Sequence, residues 1–165
     1  MIGGKKMLTI GNKVFVPNYG AGIIENINFR KVEDTIYKFV DIKLTIDKIC
    51  LSIPVSRIDA YRVREIVTNE QLDMCLQVIK TEHLNIEKKW TKRYRVNNDK
   101  IYTGVLEKEC EVLRDLYYLK RSGIMPPGEQ KILSKVEGLI ASETMLVLDI
   151  SLEESLKLIR DLGLQ

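Results

Sequence analysis

The chain has 165 residues, 45% of them hydrophobic and 30% charged, which is the composition of a folded globular protein and excludes a disordered or fibrous one. At this length about 70% of the unfolded surface can be buried, enough for one or two small packed domains. The net charge of +3 excludes a protein that binds polyanions with its whole surface, so any nucleic-acid role must come from how the charge is distributed.

The opening Met1-Ile2-Gly3-Gly4-Lys5-Lys6-Met7 lacks the apolar core of a signal peptide and reads as a leader outside the fold, which starts at Leu8. Four stretches rich in β-branched and aromatic residues follow: Lys13 to Pro17, Gly22 to Arg30, Tyr37 to Leu44 and Ile49 to Pro54. They predict four or five short antiparallel strands. The turn at Asn18-Tyr19-Gly20-Ala21-Gly22 and the hairpin closure at Lys31-Val32-Glu33-Asp34 fold these into a small, strongly bent sheet or an SH3/Tudor-like β-barrel. The Gly20-Ala21-Gly22 pair is not a phosphate loop, because Ile23 to Ile27 continues as strand where a phosphate loop would start a helix.

Near residue 61 the hydrophobic period changes from two to that of a helix. Thr68 and Gln71 have capping-box spacing, and Leu72, Cys75, Leu76 and Ile79 follow on one helical face. A second helix is expected from about Asn85 to Tyr102, stopped by Gly104. In it Ile86, Trp90 and Tyr94 step by four residues, and Lys89 and Arg93 flank Trp90. A third helix runs from about Val105 to Arg121 and ends at Ser122-Gly123, and a fourth opens at Pro126-Pro127 and reaches about Leu148. Ser151 to Glu154 is a capping box for a fifth, ending near Leu162. The expected fold is α+β in two domains: residues 1–66 a small β domain, residues 67–165 an all-helical bundle of about five helices.

Catalytic chemistry has little to stand on. Cys50, Cys75 and Cys110 are scattered, the single histidine is His83, and no CxxC pair occurs, so neither a zinc site nor a Cys-His nucleophile has its ligands or flanking motif. Three reduced, mostly buried thiols are expected, with no metal, no cofactor and no enzyme activity. No apolar run reaches the ~20 residues of a membrane span, which places the protein in the cytoplasm. The chemical signal lies elsewhere. From Lys88 to Lys100 six basic residues face a single acid, Asp99, and the only tryptophan, Trp90, sits among them. Lys and Arg supply sequence-independent attraction to phosphates, and a large flat side chain can push between bases. The same tryptophan could equally be a core anchor on an amphipathic helix whose charges are merely solvated.

With both halves laid out, the chain resembles the bacterial CarD/CdnL family of transcription factors. The resemblance rests on Ile10-Gly11-Asn12-Lys13-Val14-Phe15-Val16-Pro17-Asn18-Tyr19-Gly20-Ala21-Gly22 in the first half. In the second it rests on Trp90 to Asn97, Val112 to Leu116 and Pro127 to Leu133. It implies a β domain that tethers the protein to the β subunit of RNA polymerase. It also implies a helical domain whose Trp90 enters the minor groove of promoter DNA at the upstream edge of the melting bubble, stabilising the open complex. Lys89, Lys92, Arg93 and Arg95 would then hold phosphates on either side, with no base code. Arg30 falls where family members carry a polymerase-facing arginine. A second family arginine is replaced by Ser52, so that edge must use Lys48, Arg57 or backbone pairing from an exposed strand. Such a protein would be found at the nucleoid. Two other readings stay open: an architectural DNA-binding protein that works without polymerase, and a Tudor-like adaptor with an aromatic cage from Tyr19, Tyr37 and Phe39.

Overall fold

The computed structural model describes residues 8–82 and 85–165; the leader and His83 lie outside the described residues. The fold is α+β, a five-stranded antiparallel sheet followed by five helices. The strands are β1 (Lys13–Val16), β2 (Gly20–Val32), β3 (Thr35–Leu44), β4 (Cys50–Pro54) and β5 (Arg64–Glu65), in the order β4-β3-β2-β1-β5. β4 and β5 form the two edges and do not pair with each other, so the sheet is bent without closing into a barrel. Cys50 begins the β4 edge strand and is exposed, a correction to the expectation of buried thiols.

The alternation along β1 buries both of its faces. Val14 and Val16 point into the sheet's own core with Ile24, Val40, Ile42, Ile53 and Ile58, while Phe15 points the other way and joins the core of the helices. Ala21 does the same from the start of β2. β2 and β3 pair up to Val32 opposite Thr35, and their outer half, residues 29–38, is solvent-exposed throughout. The hairpin therefore projects beyond the packed part of the sheet.

The helices are α1 (Asn69–Gln77), α2 (Trp90–Tyr102), α3 (Leu106–Arg121), α4 (Pro127–Leu148) and α5 (Leu152–Gly163). Local signals account for most of their ends. Thr68 accepts from the Gln71 amide while the Gln71 side chain accepts from the Thr68 amide, and Ser151 and Glu154 repeat this at α5. Ile79 falls in a single 3-10 turn, Val78–Lys80, that follows α1. Among the described residues no helix is long and apolar enough to cross a membrane.

Polar contacts fasten the sheet to the helices. Arg64 on β5 forms a two-pronged ion pair with Glu143 of α4 at 2.6 and 2.9 Å, donates to the Gly104 carbonyl at 2.8 Å, and lies 4.4 Å above the Phe15 ring. Glu143 is fully buried and also accepts the Val67 amide at 2.9 Å. The Ala21 amide donates to Ser142 Oγ at 2.9 Å. Two glycines are required at this seam. Gly20 has φ +111 and would bring a Cβ to 2.9 Å from Ser142 Oγ, and Gly104 has φ +68 with the Pro17 ring where its Cβ would be.

One buried group opposes this stability. Glu109 on α3 is fully buried, and among the described residues neither carboxylate oxygen has a hydrogen-bond partner. Burial, reinforced by the charge of Glu143 and offset in part by Arg64, pushes its carboxyl up to about 8. The folded protein thus keeps a proton that the unfolded chain releases at the ordinary carboxylate value. Between the two values the folded state binds more protons, so stability falls as pH rises, by roughly 1 kcal/mol per pH unit, and levels off above the folded value. Urea unfolding between pH 5 and 8, about the range set by those two values, is expected to show this decline in the native chain and lose it in Glu109→Gln, which is more stable at the alkaline end.

Candidate nucleic-acid interface

α2 begins at Trp90, not near Asn85. Residues 85–89 are non-helical, and Lys89 is the N-cap in extended conformation, φ −77 and ψ 107, without a side-chain cap. Ile86 therefore precedes the helix and packs against its core, and the expected stripe of Ile86, Trp90 and Tyr94 does not exist.

Arg93 is the second correction. Helical spacing sets it beside Trp90 as a phosphate contact, yet its guanidinium turns inward and the residue is only 7% exposed. Nε and Nη2 donate to the two carboxylate oxygens of Glu129, each at 2.6 Å, and Nη1 donates to the Glu87 carbonyl at 2.6 Å. Glu129 is fully buried in the first turn of α4, where the helix dipole favours an anion. Arg93, Asn97 and Ile101 form the buried face of α2. The Arg93–Glu129 pair leaves neither group available to a ligand.

Trp90 stands one turn before Arg93 and is 50% exposed. Tyr94 and Val96, in the next turn, are also exposed. Lys88, Lys89, Lys92 and Arg95, in the same stretch of chain, are exposed as well. Lys92 Nζ lies 2.8 Å from the Glu87 carboxylate, which also accepts the Lys89 amide at 3.1 Å. Those two contacts, the Lys92 one first, hold the Glu87 carboxyl below its usual range. Lys100, at the far end of α2, pairs with Glu111 of α3 at 2.8 Å. The local positive charge is thus concentrated around the helix start, where the dipole adds to it. A half-exposed indole on a helix start that carries exposed cations can stack on a base or enter a groove while the cations hold phosphates.

A second cluster lies on the outer face of the sheet, where the register puts Asp41 of β3 opposite Ser52 of β4. Arg30 Nη2 donates to both Asp41 oxygens at 2.8 and 3.0 Å, and Arg30 Nε donates to Asn28 Oδ1 at 2.9 Å. Asn28 Nδ2 and the Ser52 hydroxyl also donate to Asp41. The Arg30 guanidinium covers the Phe39 ring at 4.9 Å. Arg30 and Ser52, far apart in sequence, are thus joined through Asp41, a residue the sequence reading passed over. Its signal was an acid between Val40 and Ile42 in an apolar strand. With Arg30 over Phe39 and Tyr19 on the β1–β2 turn, the three aromatics do not form a cage. Lys48 sits in the turn before β4, and Arg57 stacks on Tyr61 at 5.8 Å.

Two family models match the two halves of the chain. The CarD-like/TRCF RID domain matches residues 8–67, and the CarD C-terminal domain matches residues 74–160. The chain belongs to the CarD family of transcription factors. It is also 28% identical over 141 residues to a Bacillus subtilis (strain 168) protein named "Putative transcription factor YdeB", a match covering 86% of this chain and 92% of the relative. Within the CarD family pattern, Arg30, Asp41 and Ser52 lie in the RID part, and Trp90 with its cations lies in the C-terminal part.

Asp41 is the acceptor on which the sheet cluster depends. The Ser52 hydroxyl, helped by Arg30 and Asn28 against the cost of burial, holds its carboxyl below the usual range. Its contribution is present above the ordinary carboxylate value and is lost as pH falls through the folded value. Asp41→Ala, which leaves three donors without their acceptor, is expected to cost about 1–2 kcal/mol at neutral pH and to flatten the acid limb of the stability profile. Chemical denaturation at neutral and acid pH measures both.

Proposed function

We propose that this CarD-family protein binds the β subunit of RNA polymerase through its sheet and contacts promoter DNA through the start of α2, stabilising the open promoter complex at the upstream edge of the bubble. The observation that carries this reading is the half-exposed Trp90 at the first turn of α2, with Lys89, Lys92 and Arg95 exposed around the same helix start. An indole so placed can enter an opened minor-groove step, and unstacking that step costs a few kcal/mol that the wedge offsets. The cations bind phosphates without reading sequence. Ser52 and Arg30 belong to the β4 side of the sheet, where the β4 edge has backbone groups free to pair with a strand of another protein. The protein acts by binding two partners at once, at the nucleoid in the cytoplasm, and no cofactor enters the reading.

Trp90→Ala is expected to shorten the lifetime of the open promoter complex several-fold while leaving the melting temperature and polymerase affinity nearly unchanged. Competitor-challenge dissociation and thermal melts on the same variant measure this. A large loss of stability with unaltered dissociation would return Trp90 to the role of core anchor. For the other partner, Arg30→Gln in the full chain is expected to weaken binding to the isolated polymerase β subunit, read by titration calorimetry. Equal affinity would remove Arg30 from that interface.

A further inference from the structure

Arg93 does more than fill the interface between α2 and α4. One guanidinium grips two places in its own chain: it is attached at residue 93, and its Nη1 holds the Glu87 carbonyl at 2.6 Å. The segment from Glu87 to Arg93 is thereby closed into a ring with Trp90 at its midpoint, three residues from either end. The ring has internal ties, from the Lys89 amide to the Glu87 carboxylate at 3.1 Å and from Lys92 to the same carboxylate at 2.8 Å. It is moored from outside by Glu129, which takes both remaining prongs of the fork at 2.6 Å and is itself fixed in the first turn of α4.

Buried ion pairs are weak contributors to stability, and well-packed apolar side chains of similar volume often do as well or better. A planar fork with three short contacts offers something apolar packing does not, a defined direction. We propose that Arg93, Glu129 and Glu87 form a positioning clasp that holds the Trp90 backbone rigidly at the edge of the bundle, so that the indole meets DNA already ordered. The inference rests on the DNA-contact reading above and names residues that serve it without touching DNA. Pre-ordering lowers the entropy lost on binding, so loosening the clasp weakens the contact while every contacting side chain is still present.

Trp90 is the only tryptophan in the chain, so the fluorescence anisotropy decay and iodide quenching of the native protein report this site alone. Two variants test the clasp in the full chain. Arg93→Lys keeps the charge but loses the fork, and the double change Arg93→Leu with Glu129→Leu removes both charges, keeping the interface packed. Both are expected to fold, the double variant with stability near that of the native chain. Both are expected to give faster local anisotropy decay and stronger quenching of Trp90, and open-complex lifetimes shortened several-fold, with polymerase affinity unchanged. A folded double variant with native anisotropy, or one with a mobile indole and a native open-complex lifetime while Trp90→Ala shortens it, overturns the clasp. If Trp90→Ala itself leaves the lifetime unchanged, the DNA-contact reading fails, and the anisotropy of the free protein still decides whether Arg93 and Glu129 hold the indole.

Discussion

The ion pair between Arg64 and Glu143 is the constraint on which the arrangement depends. Glu143 has no solvent exposure, and a carboxylate in that position without its partner costs several kcal/mol. Arg64 meets it from the last strand, and the same guanidinium reaches the Gly104 carbonyl and the Phe15 ring. Four segments that are distant in sequence, β1, β5, the α2–α3 turn and α4, converge on one side chain. Around it the backbone approaches closely, at Gly20 against Ser142 and at Gly104 against Pro17. The two halves therefore share a core, with Phe15 and Ala21 of the sheet counted among the buried side chains of the helices.

This coupling bears on what such a protein can do. The Arg30–Asp41–Ser52 cluster and the Trp90 region sit on different halves of one body. If each binds its own partner, engaging the first makes the second an intramolecular event, governed by an effective concentration rather than by bulk affinity. A patch with only a few exposed cations binds DNA weakly at physiological salt. A rigid tether to a second partner, as proposed above, would compensate for that weakness.

Arginine meets a buried carboxylate at four places, Arg30 with Asp41, Arg64 with Glu143, Arg93 with Glu129 and Arg160 with Glu137. The Arg64, Arg93 and Arg160 pairs join elements that backbone hydrogen bonding does not join, at the seam between halves and where α4 meets α2 and α5, while the Arg30 pair lies across the already paired strands β2 and β3 on the outer sheet face. Directional contacts are what these places share, and they position surfaces more than they stabilise the fold. Glu109 lies near the Arg64–Glu143 pair and has no such partner. It shows by contrast what an unanswered buried carboxylate does, which is to keep its proton.

Elements whose signals are local were legible in the sequence. Alternation of β-branched residues marks β1 to β4, capping boxes at Thr68 and Ser151 and prolines at 126 and 127 mark helix starts, and Gly104 and Gly123 mark helix ends. These depend on residues within one turn or one strand of each other, so the sequence carries them directly. The cluster of cations around the single tryptophan was visible for the same reason. Three things were decided only by the tertiary structure. α2 starts at Trp90 because Arg93 takes the Glu87 carbonyl out of a helical path, and Arg93 turns inward because Glu129, 36 residues away, awaits it. Arg30 and Ser52 form one site because strand register sets Asp41 between them. The sheet stays open because β5 pairs with β1 and leaves β4 without a closing partner. In every case the deciding partner is remote in sequence, and local pattern says which residues can be polar, not which other residue will answer them.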